Sequence, residues 1–191
     1  MTVQATPPRR LARRRAVLGG LAVPLALASA GLPAAPAAAA AAARRERSVL
    51  LHHRHTGETL RTVYFADGRY LPEALRAATR HLRDWRDGTQ LSVDPRLLDL
   101  LSSLRAALGT AAPLEVFCGY RSPATNAMLR RTRRGAARHS LHMRAMAVDL
   151  QVRGRSLAAV RRAAVALGGG GVGYYPRSGF VHVDTGEVRY W

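Results

Sequence analysis

A chain of 191 residues has room for one domain with a real core once its N-terminus is set aside. Its 30 basic residues are all arginine and face 12 acidic ones, a formal charge of +18 that falls to about +13 when the five arginines before residue 44 are removed. One cysteine, Cys118, excludes an internal disulfide, so this is not a disulfide-stapled scaffold.

Residues 1–43 read as an export signal followed by an Ala/Pro linker, and residues 44–191 as the functional domain. Arg9, Arg10, Arg13, Arg14 and Arg15 form a basic start without any acid. The apolar run 16-AVLGGLAVPLALASA-30 follows, with an A-x-A site at Ala28-Ser29-Ala30. Gly19, Gly20 and Pro24 interrupt that run, and it is shorter than the ~20 residues of a membrane span. A cleaved signal is therefore expected, with no stable span left afterwards. The order Arg14-Arg15-Ala16-Val17-Leu18 resembles the twin-arginine signal of bacterial export. The expected location is periplasmic or otherwise exported.

Beyond Arg44, 48-SVLLHHRHTGETLRTVYFADG-68 reads as two strands around Thr56-Gly57. Leu71, Leu75, Ala78 and Leu82 at helical spacing predict a helix over 71–85. Asp94 and Pro95 form an N-cap and first turn for a helix over 96–108, ending at Gly109. A strand over 114–118, a polar helix over 124–134, a strand within 145–152 and an amphipathic helix over 156–167 follow. Gly168 to Gly171 read as a flexible loop, and strands around 171–175 and 180–184 close the chain, extended by Glu187–Trp191. Helices and short strands mix without regular βαβ units, so the fold class is α+β.

The chemistry concentrates in 139-HSLHMRAMAVDL-150. The seven-residue step from His142 to Asp149 suits a bend feeding a strand better than one helix, and such a bend lets a loop histidine and a strand aspartate converge. Zinc accepts imidazole nitrogen and carboxylate oxygen, and a catalytic zinc keeps an open position beyond three protein ligands. The one histidine after that pair is His182, in 179-GFVHVDTG-186. Strand alternation puts Phe180, His182 and Asp184 on one face and Val181 and Val183 on the other. Alone, His142 and His182 are more readily surface or satisfied histidines than ligands, and Asp149 is as readily a strand-end cap; their combination is more specific, but spacing by itself leaves the metal site and the bland reading evenly matched.

The segments 55-HTGE-58, 82-LRDWRDG-88, 94-DPRLLDLL-101, 119-GYRSPATNAMLR-130, 140-SLHMRAMAVD-149 and 171-GVGYYPRSGFVHVDTG-186 are long, ordered and spread over the domain. In them the chain resembles the murein endopeptidase K family (formerly DUF882) of the peptidase M15, or zinc D,D-carboxypeptidase, superfamily. The resemblance implies a small central antiparallel sheet flanked by helices in a zinc D,D-peptidase, hedgehog-like fold. It implies one zinc ion on His142, Asp149 and His182, with Arg121 of the GYRS motif near the metal to hold substrate or the developing oxyanion.

The implied function is hydrolysis of the peptide cross-links of peptidoglycan in cell-wall remodelling, including links between two diaminopimelate residues. Whether the bond is of D,D or L,D type, and whether the enzyme is an endopeptidase or a carboxypeptidase, stays open. Two departures bear on this. The motif's glycine is Ala145, which strains the bend if φ is positive there. The acid or histidine that superfamily members place just before the last ligand is replaced by Gly179 and Phe180. Asp184 is the first candidate base, with a hydrogen bond to the His182 imidazole as its other role, and His139 is the second. The alternative function is a catalytically silent peptidoglycan-binding module of the same fold. The high charge also suits nucleic acid or anionic lipid, but no nucleic-acid motif and few aromatics accompany it, so a carboxylate-rich wall is the expected partner.

Overall fold

The computed structural model describes residues 46–132 and 136–191. The export-signal reading of residues 1–43 lies outside them. In chain order the elements are β1 (Arg47–His53), β2 (Thr59–Ala66), β3 (Arg69–Tyr70), α1 (Pro72–His81), α2 (Pro95–Ala107), β4 (Leu114–Cys118) and α3 (Pro123–Thr132). A 3-10 turn (Leu141–Arg144) leads to β5 (Ala147–Val152), α4 (Leu157–Leu167), β6 (Gly171–Tyr175), β7 (Phe180–Asp184) and β8 (Arg189–Tyr190). Among the described residues no helix is long and apolar enough to cross a membrane.

The α+β class holds, but the sheet is neither small nor wholly antiparallel. Its eight strands run in the order β3-β2-β1-β4-β5-β7-β6-β8, and β1/β4 and β6/β8 are parallel pairs. The reason is the route between them. The chain leaves β3 through α1 and α2 before β4 returns beside β1, a crossover long enough to reverse direction twice.

Alternation then sorts the faces. Val49 and Leu51 of β1, Leu114 and Val116 of β4, Val148 and Leu150 of β5, and Val181 and Val183 of β7 all join the core. Helix α2 supplies Leu97, Leu98, Leu101 and Leu104, and α4 supplies Val160 and Ala164. Burying a leucine side chain of this kind stabilises by roughly 1.5–3 kcal/mol, so this helix-covered face holds most of the stability. Asp99 of α2 reaches back to the sheet edge. Its Oδ1 accepts from Arg47 Nη1 (2.6 Å) and the Tyr64 hydroxyl (2.9 Å), and its Oδ2 from the Tyr70 hydroxyl (2.6 Å).

Two local expectations change. The helix predicted to Trp85 ends at His81, because the Asp84 side chain accepts from the backbone N–H of Arg86 (3.0 Å) and of Ser122 (3.0 Å). Those bonds turn the chain into a loop instead of a further helical turn. Nor is the glycine run a loose loop: Gly168 caps α4 in a left-handed conformation (φ 60°), and a Cβ at Gly171 would lie 2.5 Å from Asp184 Oδ2. That glycine is required by close approach.

Candidate metal centre

The sheet register assembles the site. Asp149 of β5 is the direct cross-strand partner of His182 on β7, of Cys118 on β4 and, through His182, lies in one row with Gly173 of β6. With their valine neighbours turned to the core, Asp149 and His182 stand together on the opposite face. His142 arrives from the 3-10 turn. Ser140 caps that turn by accepting from His142 N (3.4 Å), and Ala145 ends it in the left-handed region at φ 52°, ψ 34°. The bend between the ligand candidates is thus real, and alanine occupies a backbone conformation that glycine adopts at no steric cost.

His142 Nε2, His182 Nδ1 and Asp149 Oδ1 form a triangle with edges of 3.2, 3.2 and 2.8 Å. The other nitrogen of each ring is engaged. His142 Nδ1 donates to the Gly119 carbonyl (2.7 Å), and His182 Nε2 donates to Asp184 Oδ2 (3.0 Å). These outer bonds orient the rings, so each imidazole, when neutral, turns a lone pair toward a carboxylate oxygen. Three buried ligand atoms face one another, and a positive charge among them, a proton on His142 or a bound cation, satisfies the arrangement. The His142 pKa carries the same message: burial opposes its protonation, yet the Asp149 carboxylate outweighs burial and lifts the pKa well above the ordinary value. Asp149 is held well below the usual carboxylate range, burial being overcome by His142 and His182. Donor atoms on one tetrahedral zinc stand about 3.3–3.6 Å apart, so opening the triangle by a few tenths of an ångström admits the ion. The donor set fits zinc.

Gly119 is confined by its neighbours, since a Cβ there would meet the Leu82 carbonyl oxygen at 2.5 Å. The carbonyl that orients His142 therefore depends on the absence of a side chain at the start of the GYRS segment.

Cys118 adjoins the triangle, which its sequence context did not reveal. Its Sγ, His142 and Asp149 each offer a ligand atom within 4.8 Å of the others. The thiol is buried, and Arg121 Nη2 donates to it at 3.5 Å. The tighter set is His142, Asp149 and His182. Arg121 is largely buried, with Nη2 3.8 Å from Asp149 Oδ2, and it reaches the cavity that opens over the triangle.

Asp184 departs from its first expected role. It has 0 % exposure and lies behind His182. Its Oδ1 accepts from the backbone N–H of Gly171 (3.0 Å) and Gly186 (2.9 Å), and its Oδ2 from His182 Nε2 and from Arg189 Nη2 (2.8 Å). Burial would raise its pKa, but these donors hold it well below the carboxylate range. A saturated, sealed carboxylate cannot collect a proton from substrate; its geometry is that of a partner to the imidazole. His139 is exposed at the rim of the cavity, with no hydrogen bond to the triangle.

The cavity measures about 920 Å³ and has the triangle in its lining. One wall is the chain's last residue. Trp191 donates through Nε1 to the Tyr175 hydroxyl (2.7 Å), and its ring lies 5.4 Å from that of His182. Another wall is a stack of His55 on Trp85, with ring centroids 4.1 Å apart. Neither wall was legible as such in the sequence, although both HTGE and LRDWRDG stood out.

Comparison with known proteins decides the family. The family described as peptidoglycan L,D-endopeptidase MepK (Peptidase_M15_2) matches residues 41–191. The chain belongs to this family. It is 43 % identical over 180 residues to the peptidoglycan L,D-endopeptidase MepK of Escherichia coli K12, covering 94 % of this chain and 96 % of the relative. The MepK of Shigella flexneri matches to the same extent. A probable peptidoglycan L,D-endopeptidase MepK of Haemophilus influenzae is 40 % identical over 146 residues, 76 % of this chain and 78 % of the relative. The family match takes in every element of the site, from the His55 wall to the terminal Trp191.

Proposed function

We propose that this protein is a zinc-dependent peptidoglycan peptidase that hydrolyses peptide cross-links, acting outside the cytoplasm after export on its N-terminal twin-arginine-type signal. The observation that carries the reading is the triangle of His142 Nε2, His182 Nδ1 and Asp149 Oδ1, three ligand atoms aimed at one point, with the two rings held by their outer hydrogen bonds. Its fold is then the zinc D,D-peptidase, hedgehog-like arrangement built on a mixed sheet. Membership of a family of peptidoglycan L,D-endopeptidases supports the substrate, and by that resemblance the bond joins two diaminopimelate residues.

His142, Asp149 and His182 hold the ion in this proposal. The chemistry zinc supplies there when bound is Lewis-acid polarisation of the peptide carbonyl and a water whose pKa is lowered to about 7. The remaining steps belong to the chain. The Gly119 carbonyl and Asp184 keep His142 and His182 in the tautomers that face inward. Arg121, in the cavity lining beside Asp149, supplies donors to the oxygen that gains negative charge as the carbonyl is attacked. His139 at the cavity rim takes the proton-transfer role that the sealed Asp184 cannot fill. The arginine-rich surface favours approach to a carboxylate-rich wall.

Mass spectrometry of cross-linked peptidoglycan fragments incubated with the purified protein, with and without a zinc chelator, tests this. Chelator-sensitive loss of the cross-linked fragment is expected, and the product masses name the bond. Folded, metal-loaded protein that leaves every cross-link intact would mark a silent wall-binding module instead.

A further inference from the structure

The LRDWRDG and HTGE segments meet at the cleft without any part in the zinc triangle. His55 stacks on Trp85 with centroids 4.1 Å apart and an interplanar angle of 17°. The Arg86 guanidinium lies over the Trp85 ring at 4.1 Å. All three line the cavity that contains His142, Asp149 and His182.

Charge pairing singles out Arg86. Of the three arginines lining the cavity, Arg189 is bonded to Asp184 at 2.8 Å and Arg121 lies 3.8 Å from Asp149. Behind the wall, Arg83 is paired with Glu58 (2.8 Å) and Arg54 with Glu115 (3.4 Å). Arg86 alone of the cavity arginines has no carboxylate partner among the described residues. Burial and the neighbouring Arg86 also hold the His55 pKa below its ordinary value, so at neutral pH the cation of this wall is the arginine's.

The loop beneath it is rigidly attached. Asp84 takes the N–H of Arg86 (3.0 Å) and of Ser122 (3.0 Å), and the Ser122 hydroxyl donates to Asp87 (2.6 Å). Tyr120 N donates to the Leu82 carbonyl (2.7 Å). The loop bearing Arg86 is therefore clipped to the segment bearing Arg121, and the two cations are held by one framework. A guanidinium held over an aromatic ring, half-buried and without a carboxylate partner among the described residues, keeps N–H donors for a bidentate acceptor.

We propose that Arg86, seated on the Trp85–His55 stack, is a substrate-positioning residue that binds a free carboxylate of the peptide strand in the cleft. Resting on the peptidase reading above, it makes the protein selective for stem peptides whose diamino acid keeps its carboxyl group unamidated. Amidation removes the charge and one acceptor oxygen, and with them the match to the guanidinium edge.

The experiment compares wild type, Arg86→Gln and Arg86→Lys on two cross-linked muropeptides, one with free diaminopimelate carboxyls and one with those carboxyls amidated. Folding of each variant is checked by thermal melting. For the free-carboxyl fragment, Arg86→Gln raises KM about tenfold with kcat unchanged, the size of one lost hydrogen bond to a charged group. Arg86→Lys recovers part of the loss, and on the amidated fragment the three proteins agree. An equal KM change on both fragments, no change on either, or a fall confined to kcat overturns the assignment. If wild type cleaves neither fragment, the peptidase reading fails by itself. Calorimetric binding of the same two fragments then decides on Arg86: carboxylate-dependent binding lost in Arg86→Gln upholds it, and binding indifferent to amidation or to the substitution overturns it.

Discussion

Asp149 and His182 are direct cross-strand partners, and their side chains meet with Oδ1 2.8 Å from Nδ1 on the face of the sheet turned away from the core. A cross-strand pair is held by two ladders of backbone bonds, so the separation of these donors is set by the sheet and not by side-chain flexibility. The metal reading rests on that rigidity and makes the first prediction. His142→Ala and His182→Ala should each bring bound zinc, measured by elemental analysis, from about one ion per chain to near none, because two donors no longer make a structural cage. Cross-link cleavage disappears with it. Full activity in either variant would remove that residue from the ligand set.

Arg121 sits beside the triangle without entering it. Arg121→Ala should keep its zinc and lose roughly 10²–10³ in kcat, the usual effect of removing one donor to a developing oxyanion. Loss of the metal instead of the rate would make the residue structural.

Asp184 acts through His182, so its substitution should be felt at the metal. Asp184→Asn weakens the bond that fixes the His182 tautomer, and a 10–100-fold loss of zinc affinity in competition with a chelator is expected. A variant with unchanged affinity and a displaced pH–rate profile would restore the carboxylate as the base.

Ala145 is the one place where the backbone of the site works against its residue, with φ at 52°. Ala145→Gly should stabilise the protein by about 1 kcal/mol, the left-handed penalty less the extra freedom of glycine in the unfolded chain. For a domain of this size that is a rise of about 2–4 °C in melting temperature. A lower melting temperature would show that the packing of the buried methyl group outweighs the strain.

Stability should fall with acid through a separate pair. Burial pushes the His53 and His81 pKa values down to about 4, with nearby His81, His55 and Arg83 adding to the effect on His53. Between pH 6.5 and about 4 the unfolded chain then binds protons that the folded one does not, so stability rises with pH across this window. It is fully present above pH 6.5, declines as pH falls, and changes no further from this source below about 4. Denaturant midpoints at pH 7, 5.5 and 4.5 check the slope, and His81→Leu should flatten it. An unchanged slope would assign the acid sensitivity elsewhere.

What could be read along the chain were features set by neighbours in sequence. The Asp94 cap, the strand at 114–118 and the closing strands 171–175 and 180–184 depend on local hydrogen bonding and alternation, and they stand where the residues put them. His142, Asp149 and His182 could also be singled out along the chain, and the structure brings their side chains together. The overreach of the helix past His81 came from a partner distant in sequence, Ser122, which shares Asp84 with Arg86. The parallel β1/β4 pair came from the long connection through α1 and α2, and the β6/β8 pair from the chain's return past the β6–β7 hairpin to the other side of β6, neither of which any periodicity encodes.

Distance in sequence explains the site as well. Residue types alone named a possible base at Asp184, but only the packing of Gly171, Gly186 and Arg189 around it made it a sealed partner of His182. Cys118 enters the site because a register shift in β4 sets it opposite Asp149. Among the described residues the Arg86 guanidinium has no carboxylate partner, because folding pairs its neighbours with Glu58, Glu115 and Asp184. The sequence by itself determined which groups were present and which local bends carried them. Tertiary structure decided their tautomers, their access to water and their pairing, since each depends on contacts made across the sheet.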